Sequence, residues 1–592
     1  MPFFEKHLAT ARNVLLLLCL VLPWLNPFAS SPSTGVVPLL LSWMLSACAL
    51  LLLVDLPTSR MPHATRVWAW VRGAWLIGLV ASVLWVPEVV DAALTAGLLA
   101  ALVTVWAMAE VGRRVVEQRN RLLHWVAVAW LFAAAVSSLL GVLQYLDLAR
   151  DLAPWVNQPV RGDAFANLRQ RNQFASLTSI GLVTLFAWVA SRPPEIVTKR
   201  SIWRMAWPWL VLNLLAAGVA CSLSRTGALQ WVVVGLLAAW WAWRQMSHQP
   251  SRSTQLLYMA LAAPFLVALW SVWMPMLASS ITGSQGASMI LRVAGQAQDY
   301  GMCASRRVLW ANMLNLALQH PWLGWGWGEA DLAHFMTAYS GPRFCDLVDN
   351  AHDLPLHVAV EFGLPFAVLS IVLGLAWLVR RQPWRETNAW RVMGWGVLLV
   401  VGLHSLLEYP LWYGPFQMAV GLSLGLVWAM PSPSRHGMDD TQADESPEQS
   451  TTTVPASATR PTPQTRRQQN IALLVCSLLF LSCLYAAWDY NRVAQIYRPA
   501  ASRDAPYRDN PMGHAKQSWL FRNQADFADL TTRTITSDNA ADTYALALRV
   551  MHYSPEARVV QKAIDSAKLL GLTAEANALE KRLSDVKRAA SQ

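Results

Sequence analysis

The stretch Asp349-Asn350-Ala351-His352-Asp353-Leu354-Pro355 sets a histidine in a polar loop that runs directly into an apolar helix. Polar side chains at the mouth of a membrane helix are costly to keep, so they mark a functional site. Asp353 is the expected N-cap and Pro355 suits the first turn, which leaves His352 beside a helix N-terminus that favours anions. An imidazole there can act as a general base near neutral pH or donate to a phosphate. Arginine is the second chemical group. Arg169 and Arg171 follow one long loop, Arg225 sits in the short turn Ser222-Leu223-Ser224-Arg225-Thr226-Gly227, and Arg307 stands in a second long loop. A guanidinium fork matches phosphate oxygens bidentately, and a diphosphate at a membrane surface needs several such partners. Arg161, Arg306 and Arg343 read more simply as solvated charge or lipid headgroup contact. Tyr409, in Glu408-Tyr409-Pro410-Leu411-Trp412-Tyr413, is placed to hydrogen-bond a substrate in the same cavity, although Tyr409, Trp412 and Tyr413 also suit an aromatic belt.

These groups need elements to hold them. Of 592 residues 55% are hydrophobic and only 14% charged, and apolar runs long enough to cross a bilayer as helices recur. Spans are expected near Val14 to Ala29, Val36 to Val54, Val67 to Val86, Ala92 to Val111, Leu123 to Leu146, Phe174 to Ala190, Met205 to Ser222, Ala228 to Trp243 and Leu256 to Leu277. Others follow near Leu354 to Val379, Val392 to Leu407, Trp412 to Met430 and Ile471 to Ala487. The expected fold class is therefore an all-α polytopic membrane protein of about thirteen transmembrane helices. Val14 to Ala29 stands behind Lys6 and Arg12 like the apolar region of a signal peptide, but further spans follow at once, so an uncleaved first helix is expected.

The net charge of +11 would suit nucleic acid, yet its placement argues otherwise. Basic residues fall in every second connection: Arg60 and Arg66, Arg113 to Arg121, Arg192 to Arg204, Arg244 and Arg252, then Arg380 to Arg391. That side is the cytoplasm by the positive-inside rule, and the expected partners include membrane lipids and no nucleic acid. The connections Ser30 to Gly35 and Pro87 to Asp91 carry no Lys or Arg, and the alternation puts the N-terminus inside and the last segment outside.

Three longer segments map to the external face: 147–173, 278–352 and everything after Tyr490. The second opens with the Gly/Ser-rich stretch Ser279 to Ser288, expected to be mobile, followed by an amphipathic helix near Val308 to Leu318. Pro321-Trp322-Leu323-Gly324-Trp325-Gly326-Trp327-Gly328 then reads as a tight aromatic loop. Residues 431–470 turn to Ser, Thr, Pro and acidic types that cannot bury a core, a disordered cytoplasmic linker. The expected order is a membrane core over 1–430, the linker, a last transmembrane helix at 471–487 and a helical external domain at 488–592. That domain's apolar positions are Ala515, Trp519, Phe521, Tyr544, Leu546, Ala547, Val550, Val559, Ala563, Ala567 and Leu570. Five of seven cysteines lie in apolar spans as small buried hydrophobes; Cys303 and Cys345 share one external loop, as a disulfide or as two thiols.

No Gly-rich Lys-Ser/Thr phosphate loop is present, so ATP hydrolysis is not expected. His352 and His357 are five apart rather than four and no paired-Cys motif occurs, so the reading calls for no metal and no cofactor. Trp488-Asp489-Tyr490 echoes part of the N-linked oligosaccharyltransferase signature without its flanking residues and is read as chance.

In order, Asn167-Leu168-Arg169-Gln170-Arg171-Asn172-Gln173, Ser222 to Gly227, Arg307-Val308-Leu309-Trp310, Gly324 to Gly328, Asn350 to Pro355, Glu361-Phe362-Gly363 and His404-Ser405-Leu406-Leu407-Glu408-Tyr409-Pro410 resemble the O-antigen ligase and polymerase superfamily. The likeness is nearest to its protein-glycosylating branch, the pilin O-oligosaccharyltransferases of PglL type. It covers about Val14 to Met430, and the extra span with its helical tail resembles that branch's C-terminal extension. The resemblance implies a GT-C-like membrane glycosyltransferase that moves a glycan from undecaprenyl diphosphate to an external acceptor without metal or nucleotide. It implies His352 as the catalytic group, with Arg169, Arg171, Arg225, Arg307, Gln170, Gln173 and Tyr409 as substrate and diphosphate contacts. Pilin or another periplasmic protein would be the acceptor, and the bacterial inner membrane the location. Ligation to lipid A-core and polymerisation of repeat units are the rivals within the superfamily, and a lipid-linked glycan flippase is the rival of another class. Transporters usually carry polar residues deep in their spans, whereas here the polar cluster is expected outside.

Overall fold

The computed structural model describes residues 2–26, 28, 35–58, 73, 76, 79, 91–117, 121–157, 162–192, 199–247, 250–283, 286–290, 303, 305–429 and 463–591. Most of the expected span at 67–86, most of the linker and Arg161 lie outside the described residues. Among the described residues the fold is all-helical. Seven of the described helices are long and apolar enough to cross a membrane, and five shorter apolar helices among the described residues stand at Ala9–Leu25, Val36–Leu51, Ala206–Ser222, Ala389–Ser405 and Gly414–Trp428. The chain is a polytopic helical membrane protein.

The hub is the helix Arg171–Ser191. Of its apolar span 83% is buried, against 6% for Leu364–Arg385, so the first is wrapped by helices and the second faces outward. Arg121–Tyr145, Lys199–Ser222, Arg225–Gln245 and Ala389–Ser405 pack around the hub. Gly414–Trp428 lies against Ala92–Glu117 at close range, where a Cβ on Gly425 would come within 2.2 Å of the Ala109 carbonyl oxygen. Small residues at helix crossings are how membrane helices gain contact, because lipid gives them no hydrophobic drive to associate.

The hub also carries polar groups into the bundle. Gln230 donates to Ser176 Oγ at 2.9 Å and to the Val400 carbonyl at 3.0 Å, Ser179 donates to Gln230 at 2.9 Å, and Ser176 Oγ lies 2.9 Å from His404 Nδ1. All four side chains are buried. This corrects the expectation that the polar cluster lies only outside the spans, and transport is no longer disfavoured on that ground. In a protein-lined interior such groups satisfy one another, each bond contributing roughly 0.6 kcal/mol.

A second correction concerns the span expected at Leu354 to Val379, which the structure breaks into Leu354–Phe362 and Leu364–Arg381. Gly363 sits at φ 88° and ψ 162°, a conformation open essentially to glycine alone. The Pro321 to Gly328 loop docks into the break. Trp325 N donates to the Val360 carbonyl at 2.8 Å, Gly326 N to that of Glu361 at 3.1 Å, and Leu364 N to that of Pro321 at 2.8 Å. The loop thus satisfies carbonyls that the broken helix orphans. A Cβ on Gly363 would come within 2.3 Å of the Trp322 carbonyl oxygen. Gly363→Ala is expected to destabilise by about 1–3 kcal/mol, read as a lowered midpoint of thermal unfolding in detergent; an unchanged midpoint would contradict this account of the break.

The Gly/Ser-rich stretch is also less free than expected. Helix extends to Thr282, Tyr145 OH donates to the Ala287 carbonyl at 2.6 Å, and Ser288 Oγ donates to that of Ser271 at 3.2 Å. The amphipathic helix forms at Arg306–Gln319, and Cys303 is disulfide-bonded to Cys345.

The last long helix runs Pro463–Ala494, starting earlier and ending later than expected. Asp489 has a structural role: fully buried, it accepts from Ser518 Oγ at 2.7 Å and Leu520 N at 2.9 Å and pairs with Arg492, fastening the C-terminal helices to this one. In those helices Ala515, Phe521, Leu546, Ala547, Val550, Val559, Ala563 and Ala567 are buried as expected, but Trp519 is 68% exposed. Phe335, from the loop helix Ala330–Met336, inserts into their core, and His552 Nδ1 meets Glu329 Oε2 at 2.8 Å.

Candidate active site

The residues singled out in sequence converge at one end of the bundle, and a carboxylate organises them. Asp353 caps Leu354–Phe362 by accepting from Leu356 N at 2.9 Å, with Pro355 in the first turn. His352 precedes the cap at φ 52°, its N–H held by Asn350 Oδ1 at 2.9 Å. This left-handed backbone aims the imidazole at Glu408, whose Oε2 lies 2.9 Å from Nδ1. The Tyr409 ring stands edge-on to the imidazole at 5.0 Å between centroids.

Glu408 is fixed from its other side. Arg306 pairs with its Oε1, and Asn172 Nδ2 donates to the same oxygen at 3.0 Å. Asn172 Oδ1 accepts from Ser224 Oγ at 2.6 Å, while Ser224 caps Arg225–Gln245 by accepting from Gly227 N at 3.1 Å. Burial pushes the Glu408 carboxyl up, but the hydrogen bond and charge of His352 and the charge of Arg306 outweigh it and hold the group below the usual range. Glu408 is therefore an anion, which only accepts. His352 Nδ1 must carry the hydrogen, and in the neutral ring Nε2 is then the nitrogen whose lone pair can take a proton.

The arginines divide by partner. Arg225, at the first position of its helix and half-buried, has no hydrogen bond or ion pair among the described residues. Arg171 pairs with Asp163 at 2.6 Å, and its Nη1 is buried with no hydrogen-bond partner among the described residues. Arg169 donates to the Pro154 carbonyl and Arg307 is exposed. Gln170 caps Arg171–Ser191 by accepting from Gln173 N at 2.6 Å, so its carbonyl is committed to structure. Gln173 is buried and hydrogen-bonds Tyr413, which stacks on Tyr409 at 5.9 Å.

Arg306 is thus not the solvated charge the sequence suggested. Nor is Arg343, whose guanidinium donates to the carbonyls of Thr337 at 2.9 Å and His334 at 2.8 Å, a loop clasp. Glu408, Asn172 and Ser224 were missed as site residues. The one available signal was an unpartnered Glu at a helix mouth, which needs a cation or a donor nearby.

The loop that carries the site has a pH-sensitive post. His334 is 3% exposed, with Nδ1 2.7 Å from Tyr339 OH and Nε2 3.2 Å from the Phe344 carbonyl. The carbonyl can only accept, so Nε2 carries the hydrogen, and in the neutral ring Nδ1 accepts from Tyr339 OH. Burial, then the Arg343 charge, lowers its pKa to about 4. The unfolded chain binds the proton first, so this contribution to stability is complete above about 6.5 and is lost as pH falls toward 4. The expected slope is about 1.4 kcal/mol per pH unit, and amide exchange over 330–345, corrected for intrinsic rates, should be faster at pH 5 than at pH 7. Equal protection at both would contradict it.

Three family descriptions match successive parts of the chain: Protein glycosylation ligase at residues 164–189, O-Antigen ligase at 210–371, and Virulence factor membrane-bound polymerase, C-terminal, at 392–585. The first holds Arg171 and Asn172, the second Arg225, Arg306 and His352, and the third Glu408 and Tyr409, so each supplies one wall of the site. A General O-oligosaccharyltransferase of Acinetobacter baylyi is 24% identical over 336 residues, covering 56% of this chain and 52% of that protein. A ComP-specific O-oligosaccharyltransferase of the same organism is 23% identical over 305 residues, covering 51% and 50%. The chain spans about half the length of these curated relatives.

Proposed function

This chain is a member of the O-antigen ligase superfamily close to its protein-glycosylating branch, and from that premise we propose that it transfers a glycan en bloc from undecaprenyl diphosphate to Ser or Thr hydroxyls of periplasmic proteins such as pilin. The observation that carries the reading is the 2.9 Å pairing of His352 Nδ1 with Glu408 Oε2, beside arginines at two helix N-termini. The acceptor oxygen bonds to the anomeric carbon as the bond from that carbon to the phosphate oxygen breaks. The hydroxyl proton goes to His352 Nε2 and the electron pair leaves on the diphosphate. Arg225, Arg307 and the open Nη1 of Arg171 take up that charge, with Arg169 behind them, since such catalysis draws most on charge fixed in advance where the transition state will need it. Tyr409, Gln170 and Gln173 shape the pocket wall. The reaction so written uses no metal and no nucleotide. In this reading the site faces the periplasm from an inner-membrane protein of about thirteen spans, with the helices after Tyr490 on the same side.

The test is transfer by the purified protein in detergent, with lipid diphosphate-linked oligosaccharide, chelator, and either pilin or lipid A-core as acceptor. Glycosylated pilin is the expected product. Transfer only to lipid A-core would replace the protein acceptor by the lipid one, and transfer to neither would overturn the reading in favour of a polymerase or a flippase.

A further inference from the structure

A cavity of about 750 Å³ opens beside the candidate active site, between the aromatic loop, the start of Ala92–Glu117, the end of Pro463–Ala494 and the C-terminal helices. That volume lies within the range that encloses a ligand rather than a few waters. Asp349 and Trp412 line it, and both also border the site: Asp349 is close enough to His352 for their charges to interact, and Trp412 stands 6.3 Å from Tyr409. The remaining walls combine aromatic rings, including Trp327, Phe527 and Tyr553, and aliphatic side chains with carboxyl groups, the amides of Asn523 and Gln524, and His552, which pairs with Glu329. No Lys or Arg lines it among the described residues.

We propose that this cavity holds the glycan chain of the lipid-linked donor, its rings stacking on sugar faces and its carboxyl and amide groups bonding sugar hydroxyls. The proposal rests on the transfer reading above and names the part of the donor this chain would select. Aromatic faces attract the C–H edge of a pyranose, and carboxyls both fix orientation and reject analogues that lack a hydroxyl. The charge arrangement suits a two-ended ligand. Arg171, Arg225 and Arg306 cluster on the Asn172 side of Glu408, where a diphosphate belongs, while the cavity lies on the Asp349 side and repels one. An anomeric carbon held at His352 would have its leaving group on the first side and its sugar chain on the second.

A cationic polypeptide is the competing occupant, and the cavity suits it less. Its walls are side chains on helices and loops, with no strand edge among the described residues for an extended peptide to pair with. Burial also pushes the Asp331 carboxyl up to about 8, so near pH 7 this wall group is a neutral acid that both donates and accepts, as a sugar hydroxyl requires.

The experiment uses the full chain in detergent and, as probe, the oligosaccharide released by mild acid from the lipid-linked pool of the cells that make it. Binding is followed calorimetrically for the unmodified protein, Tyr497→Ala, Asp331→Ala and Tyr497→Phe, each checked for an unchanged unfolding midpoint. Tyr497 is 66% exposed at the cavity rim, so its removal leaves the core intact. Tyr497→Ala and Asp331→Ala are expected to weaken binding about tenfold, with Tyr497→Phe unchanged. No binding to the unmodified protein, or equal binding by both cavity variants, overturns the proposal. So does a loss confined to the KM for pilin, which would give the cavity to the acceptor. Transfer activity separates this from the reading it rests on: cavity variants with unaltered donor KM in an active enzyme sink the cavity alone, and sugar binding by a protein that transfers nothing sinks the transfer reading alone.

Discussion

His352→Ala is expected to lower glycan transfer about 10²- to 10⁴-fold, the usual loss when a working general base is removed. The geometry names the atom concerned. Nδ1 is committed to Glu408 at 2.9 Å, so only Nε2 can meet an acceptor hydroxyl. The loss should fall on kcat, with the donor KM little changed, because the imidazole acts on the proton in flight rather than on the bound sugar or diphosphate. A residual rate above background should survive, since Arg225 and its neighbours would still stabilise the leaving diphosphate. His352→Gln is the sharper variant. It can keep a donor toward Glu408 but has no basic nitrogen, so it should be as slow as the alanine variant. Full transfer by either would remove His352 from the chemistry.

Much of this end of the molecule was legible because its signals are local. Asp353 and Pro355 mark a helix start within three residues, and the structure places the cap there. The caps that Ser224 and Gln170 form on the helices presenting Arg225 and Arg171 are just as local but were not read as caps. What sequence could not show depends on contacts between distant segments. Arg306 lies 102 residues from Glu408, and nothing in either neighbourhood distinguishes a paired guanidinium from a solvated one. The break at Gly363 was read through because Leu354 to Val379 is apolar apart from His357, Glu361 and Ser370, and the reason for the break is the loop at Pro321 to Leu323 docking against it. Gln230 and His404 sit in runs of Leu, Val and Ala, where hydropathy averages them away although both face the hub helix. The cavity is the extreme case, because its lining comes from segments spread between Asp91 and Glu556.

Glu408→Gln is expected to cost about as much as losing the base itself, although the side chain stays the same size and touches no substrate. Where an anion fixes a histidine's tautomer, exchanging it for an amide leaves the geometry intact yet drops kcat by about 10⁴. Here the amide can turn its NH₂ toward His352. Nδ1 would then accept, Nε2 would carry the hydrogen, and the base would point its proton at the incoming hydroxyl. Glu408 acts through His352 and is a positioning residue, so a merely structural role has to be separated from it. The conservative variant does so, with kcat read in the neutral region, where Glu408 stays charged because His352 and Arg306 hold its carboxyl below the usual range. Glu408→Asp keeps the charge and should recover much of the rate that Glu408→Gln loses. Arg306→Ala supplies the control from the other side of the carboxylate. It leaves the His352 to Glu408 hydrogen bond possible and should cost less than Glu408→Gln, and the reverse order would make the Arg306 pair, not the histidine tautomer, the reason Glu408 is there.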